Sequence, residues 1–224
     1  MRLIVFDCDG TLVDSQATIV ACARAAFVAA GLNPPSADAV RRIVGLSLVE
    51  AMLELLREPD PVLAARLAAG YKEAFLVHRA SPGFHEPLFP GAREVLDALR
   101  ERDLLLGVAT GKAMRGLRLV LEHHGLENHF TTLQTADLHP SKPHPAMVLA
   151  AMAQTGMTPE ETMVVGDTSF DVLMALAAGA MPVGVAWGNH PPDELVAAGA
   201  AHVLEGFAEL HGLLPIAAAG ATSR

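Results

Sequence analysis

Between Arg2 and Phe6 the chain is apolar and β-branched, and an Asp-Gly turn signal at Asp9-Gly10 follows at once. So short a run, ended so abruptly, predicts a buried strand rather than a helix. The same signature recurs at 104–109 (LLLGVA), 162–165 and 182–187, and more weakly at 131–135 and 201–204. Between these runs the apolar positions fall at helical spacing, over 90–101, 113–124, 146–155, 170–178 and 193–198. Strands that alternate with helices predict βαβ units and a parallel sheet. Residues 16–80 break the alternation. There the pattern is helical throughout: 17–30 with Gly31 as its stop, 37–44 behind a Ser36 N-cap, 48–57 behind a Ser47-x-x-Glu50 capping box, and a longer helix after Pro61 to about 77.

The expected architecture is therefore α/β, a Rossmann-like parallel-sheet core with an inserted α-helical domain. The core spans 1–15 and 82–213, the helical insert 16–81, and 214–224 form a small-residue tail expected to be disordered.

Composition narrows the function classes. At 224 residues, 51% hydrophobic and 18% charged, the chain is globular. No apolar run is long enough to span a bilayer, and no basic region precedes an apolar stretch at the N-terminus, so neither membrane nor export is expected. A net charge of −9 with 16 scattered Lys and Arg argues against a nucleic-acid surface. It leaves room for a small anion in a cleft lined by local cations or a metal. Two cysteines without metal spacing, Cys8 and Cys22, suit a reducing cytoplasm. Oligomeric state is not readable.

Four features fall where strands end. Asp7 and Asp9 follow the first strand, two residues apart, so both can face one site. Thr110-Gly111 follows the second, offering a hydroxyl and an N–H that an anion can approach closely. Lys142 sits between prolines in HPSKPHP, and Gly166-Asp167-Thr-Ser-Phe-Asp171 follows a buried strand. Each also has a plain alternative: turn residues at Asp7 to Gly10, capping of the next helix by Thr11 or Asp14, a strand-ending turn at Thr110, a solvated lysine at Lys142, a helix cap at Asp167 with Asp171 favoured by the helix dipole.

Taken together, DCDGTLVDS, Thr110, Lys142 and GDTSFD resemble, in order and type, the four motifs of the haloacid dehalogenase-like (HAD) hydrolases, in their Mg-dependent phosphatase branch. The resemblance implies a phosphatase of the phosphoglycolate phosphatase kind with a helical cap. It implies that Asp7 attacks phosphorus and forms an aspartyl-phosphate, and that Asp9 serves as acid and then base. By the same resemblance, Lys142 and Thr110, with Gly111, would hold the phosphoryl oxygens. Mg²⁺ would be held by the Asp7 carboxylate, the Asp9 main-chain carbonyl and the Asp167 carboxylate, with Asp171 binding a metal-bound water or orienting Lys142. The implied partner is a small phosphorylated metabolite, phosphoglycolate foremost; a phosphosugar mutase or a pyrophosphatase is the alternative.

Two departures bear on the branch. Gly166 stands where mutases of this cap type carry an acid, which favours hydrolysis. Gly111 stands where many relatives have Asn. Candidate substrate contacts in the cap are Arg24, Arg41, Arg42 and the turn Gly45-Leu46-Ser47. Cys8, between the aspartates, is expected to face away and pack. The His123-His124 pair and His139 with His144 lack metal-site geometry. Trp187 and Asn189 are candidates for the cleft edge, with core packing the alternative for Trp187.

Overall fold

The computed structural model describes residues 1–214. Six parallel strands form one sheet: β1 (Leu3–Phe6), β2 (Leu105–Thr110), β3 (Thr132–Thr135), β4 (Thr162–Gly166), β5 (Met181–Val185) and β6 (His202–Leu204). Their order is β3-β2-β1-β4-β5-β6. β1 lies at the centre, with Leu3 opposite Leu105 of β2 on one side and Thr162 of β4 on the other. The chain winds outward from β1 in both directions, so the crevice beyond its C-terminal end is the topological switch point where such folds bind ligands.

β1 and β4 are buried at every residue because helices cover both faces. Ile4 and Phe6 pack into a cluster with Leu96 and Leu99 of α5 (Ala92–Arg100) and Leu117 and Leu121 of α6 (Met114–His123). Leu3 and Val5 pack on the opposite face against α7 (Ala146–Thr155) and α8 (Ser169–Ala177). Burying Phe6 alone contributes about 2–3 kcal/mol. The last helix of the core, α9 (Pro192–Ala198), lies against β5 and β6.

Between β1 and α5 the described chain carries four helices: α1 (Gln16–Ala29), α2 (Ala37–Arg41), α3 (Leu48–Glu54) and α4 (Pro61–Arg79). They bury a cluster of their own, including Ala23, Phe27, Val40, Met52, Ala64 and Leu67. The segments entering and leaving this layer run side by side. Asp14 N donates to Pro87 O at 2.8 Å, Phe89 N donates to Leu12 O at 3.0 Å, and Val13 bridges Leu88.

Three expectations for this layer are corrected. α3 ends at Glu54 rather than 57. α2 ends at Arg41 rather than 44, because 42–46 tighten into successive turns that end at Gly45, φ +100. The Ser47 capping box does not form: Ser47 N donates instead to Ser141 Oγ at 2.7 Å, tying the layer to the loop before Lys142. At the other end, Leu214 is buried in the core; the rest of the expected tail lies outside the described residues.

Candidate active site

Alternation along β1 sets the floor of the site. Cys8 continues the face of Ile4 and Phe6 and is buried in their cluster, so Asp7 and Asp9 continue the other face. Asp7 N donates to Val165 O at 2.9 Å, which prolongs the β1–β4 ladder through Asp7. Asp7 is 1% exposed. Its Oδ1 lies 2.7 Å from Lys142 Nζ, while Oδ2 has no hydrogen-bond partner among the described residues.

Lys142 is also buried, and its Nζ donates to Asp171 Oδ1 at 2.6 Å. Asp171 Oδ2 accepts from Thr168 N at 3.1 Å and Thr168 Oγ1 at 2.7 Å, a reciprocal capping box that opens α8. Thr168, not Asp167, is the N-cap, so the capping alternative for Asp167 fails. Asp167 turns inward, where Oδ1 accepts from Thr11 Oγ1 at 2.9 Å and Oδ2 from Asn189 N and Nδ2, both at 2.8 Å. Thr11 is therefore no cap either: it belongs to this network.

The electrostatics follow from burial. Burial pushes the Asp7 carboxyl well above the usual range against the pull of Lys142, and Asp171 and Asp167 add to the rise. Burial and Asp171 raise Asp167 to about 6, against the Asn189 and Thr11 donors. Burial opposes the charge on Lys142, but Asp171 and Asp7 outweigh it and raise its pKa. Asp7, Asp167 and Asp171 bring oxygens within 4.8 Å of one another. Three carboxylates with one ammonium among them lack positive charge. The unpartnered Asp7 Oδ2 and its neighbouring carboxylates are compatible with a hard divalent cation.

Asp9 faces a cavity of about 590 Å³ between the sheet end and the helical layer. Its Oδ1 accepts from Ser15 Oγ at 2.6 Å and its Oδ2 lies 3.1 Å from Lys112 Nζ. Asp7, Thr110 and Gly111 also line the cavity, whereas Lys142, Asp167 and Asp171 lie buried behind Asp7.

The model of the haloacid dehalogenase-like hydrolase family matches residues 4–185. The chain belongs to that family. It is 37% identical over 216 residues to the protein named Probable phosphatase IndB of Dickeya dadantii, covering 94% of this chain and 92% of that one. It is 30% identical over 230 residues to the phosphoglycolate phosphatase of Pseudomonas putida, covering 99% of this chain and 81% of that one. The structure of a hydrolase from Pseudomonas syringae superposes with a TM-score of 0.84 at 28% identity, covering 95% of this chain and 98% of that chain.

Gly111 is a departure with a visible cause in this HAD-like hydrolase. A Cβ there would lie 2.3 Å from Leu46 O and 2.6 Å from Gly45 O. The turn of the helical layer thus rests directly on the end of β2, where only glycine leaves room. Of the other candidates in that layer, the turn Gly45-Leu46-Ser47 lines the cavity and the arginines do not. Arg24 donates to Pro35 O, Arg41 pairs with Asp38, and Arg42 pairs with Glu194 at 2.9 Å.

His139 bonds Gln134 Oε1 and His144 accepts from Ala146 N. Among the described residues the Asp7–Asp167–Asp171 group is the one cluster placed to share an ion. Trp187 packs against Phe207 and Phe89 while its Nε1 donates to Thr11 O at 3.1 Å, so it steadies the loop that holds Thr11.

Lys112 and Ser15 escape the sequence reading. A lysine after Thr-Gly looks like any solvated residue at a helix start, yet its ammonium returns to Asp9 and lies 5.7 Å from the Phe75 ring centroid. Burial opposes its charge most strongly of any one influence, but the surrounding acidic groups, Asp9 foremost, together outweigh it and raise its pKa. The available signal is position: Lys112 is two residues beyond a strand-end threonine that already suggests an anion site.

Proposed function

We propose that this chain is a Mg²⁺-dependent phosphomonoesterase acting through an aspartyl-phosphate on Asp7. The observation that carries this reading is the unpartnered, buried Oδ2 of Asp7, whose other oxygen is fixed by Lys142. A carboxylate held rigidly and left bare on one oxygen is prepared to bind a cation or to attack an electrophile.

Mg²⁺ would be held by the Asp7 and Asp167 carboxylates and the Asp9 main-chain carbonyl; the Asp9 carboxylate, engaged by Ser15 and Lys112, is turned to other work. When bound, the ion supplies positive charge that offsets the repulsion between nucleophile and phosphate dianion. Asp171 holds Lys142 in place. Thr110 and Gly111 lie on the cavity wall where phosphoryl oxygens would be received, with Lys142 supplying charge from behind Asp7.

An Asp7 carboxylate oxygen forms a bond to phosphorus as the ester P–O bond breaks. The departing alkoxide takes the proton of Asp9, and alcohol leaves. Water then attacks the phosphorus of the aspartyl-phosphate and gives its proton to Asp9, which releases inorganic phosphate and restores Asp7. Lys112 and Ser15 hold the Asp9 carboxylate toward the cavity for both transfers. The helical layer, residues 16–81, acts as a cap that excludes water and contacts the leaving group. Gly166 agrees with hydrolysis: the acid that mutases of this cap type carry there has no room in this chain, because a Cβ would lie 2.3 Å from Asp171 Cγ. Free, buried Cys8 and Cys22 agree with a cytoplasmic setting.

The test is phosphate release from a panel of small phosphate esters and pyrophosphate, with Mg²⁺ and with EDTA, in wild type and Asp7→Asn. The expected result is metal-dependent release abolished by the substitution. Turnover by folded Asp7→Asn would refute the nucleophile assignment.

A further inference from the structure

We infer that the alcohol released is bulky and apolar, so that the substrate class is phosphate monoesters of aromatic-sized hydrocarbon alcohols. This rests on the phosphomonoesterase reading of the site and deepens it. The cavity above Asp9 is about 590 Å³, a volume that suits a drug-sized molecule rather than a two-carbon acid.

Its wall beyond the phosphoryl end is largely apolar, the Tyr71 and Ser47 hydroxyls apart. Ile19 of α1, Leu48 and Met52 of α3, Tyr71 and Phe75 of α4, and Leu119 of α6 all line it. All but Met52 are only partly buried, and the side chains meet across the cavity from both the helical layer and the core.

The charged groups that could read a carboxylate or phosphate on the leaving group are committed or peripheral. Lys112 is paired with Asp9 at 3.1 Å, and Lys142 is buried behind Asp7. Lys72 and Arg115 reach the cavity from exposed positions, beside the exposed Asp137. Against burial, hydrogen bonds from the Thr135 hydroxyl and the Met114 amide hold the Asp137 carboxyl below its usual range, with a smaller pull from Lys72.

A polyol or a glycolate entering here would shed water from its hydroxyls or carboxylate against hydrocarbon, which is unfavourable without replacement partners. An aromatic or alkyl group would bury apolar surface against the same wall, which is favourable in proportion to area. The wall therefore selects by what it cannot hydrogen-bond.

The test compares ethyl phosphate with 2-phenylethyl phosphate, whose alcohols leave with similar ease, alongside phosphoglycolate, glycerol phosphate and pyrophosphate, all with Mg²⁺. The expected result is a kcat/KM for 2-phenylethyl phosphate at least tenfold above that for ethyl phosphate and above the three polar substrates. In Leu48→Asn and in Leu119→Asn the phenylethyl-to-ethyl ratio should fall at least threefold; being a ratio, it does not depend on the fraction of enzyme folded. A ratio near one in the wild type, a preference for a polar substrate, or a ratio unmoved in both variants would overturn the inference and leave the phosphatase reading standing. Release from none of the five would overturn that reading, and the inference with it.

Discussion

Lys112 Nζ lies 3.1 Å from Asp9 Oδ2, just as Lys142 Nζ lies 2.7 Å from Asp7 Oδ1, so each aspartate that follows β1 has its own lysine. The two pairs differ in setting. Lys142 is buried and shared with Asp171; Lys112 sits at the cavity wall against Phe75.

Removing Lys112 should act on rate rather than on folding. In Lys112→Met the Asp9 carboxylate keeps only the Ser15 hydroxyl, and its direction toward the leaving oxygen is lost. Steady-state kinetics should show kcat lowered on the order of tenfold to a hundredfold, with partial recovery in Lys112→Arg.

Lys142→Met should act on stability as well. It strips the counter-charge from two buried carboxylates, Asp7 and Asp171, and breaking a buried pair of this kind costs about 3–5 kcal/mol. For a chain of this length that is a fall in Tm on the order of 10 °C, readable by circular dichroism. A Tm within a degree or two of wild type would show that Lys142 contributes little to holding the cluster together.

The acidic cluster predicts a pH-dependent response to metal. Asp167 binds its proton more tightly in the folded chain, at about 6 against the usual 3.8, so the folded state holds a proton that the unfolded state has released. Without metal, this group's contribution to stability falls as pH rises from about 4 through about 6 and stays low above that. Mg²⁺ relieves the repulsion among the ionised carboxylates. The Tm difference between Mg²⁺ and EDTA should therefore be larger at about pH 7 than at about pH 5. Equal differences at the two pH values would place the metal elsewhere.

Gly111→Ala tests the contact between the helical layer and β2. The new methyl would meet two backbone carbonyls, which cannot rotate away as a side chain can. The turn 45–47 should lift and the Ser47 N to Ser141 Oγ bond should break. Faster hydrogen exchange at the Ser47 amide, together with a kcat/KM lower by about tenfold or more, is the expected outcome.

These predictions draw unequally on the sequence. Asp7, Asp167 and Lys142 are legible because strand ends in a parallel sheet converge on one crevice, and their residue types at those ends match a known set of motifs. The helix boundaries are largely legible too, with stops at Gly31 and Gly125, both at positive φ. What the sequence leaves out depends on contacts between distant segments. The early end of α2 comes from 42–46 tightening over Gly111, a neighbour remote in the chain. Lys112 finds Asp9 only once β1 and β2 lie side by side. Tyr71 and Phe75, one helical turn apart, carry the same apolar spacing whether they face a core or a cavity, so the character of the cavity wall is invisible until α4 is placed.

The central claim is covalent chemistry at Asp7, and it is tested most directly by trapping. A substrate that the wild type turns over, carrying radioactive phosphate, is mixed with enzyme and Mg²⁺. Turnover is quenched in acid, and the protein is reduced with borohydride and mapped by mass spectrometry. Protein-bound phosphate that reduces to homoserine at position 7, and its absence in Asp7→Asn, is the predicted result. Turnover at full rate with no phosphate on the protein and no reduction at Asp7 would contradict the account.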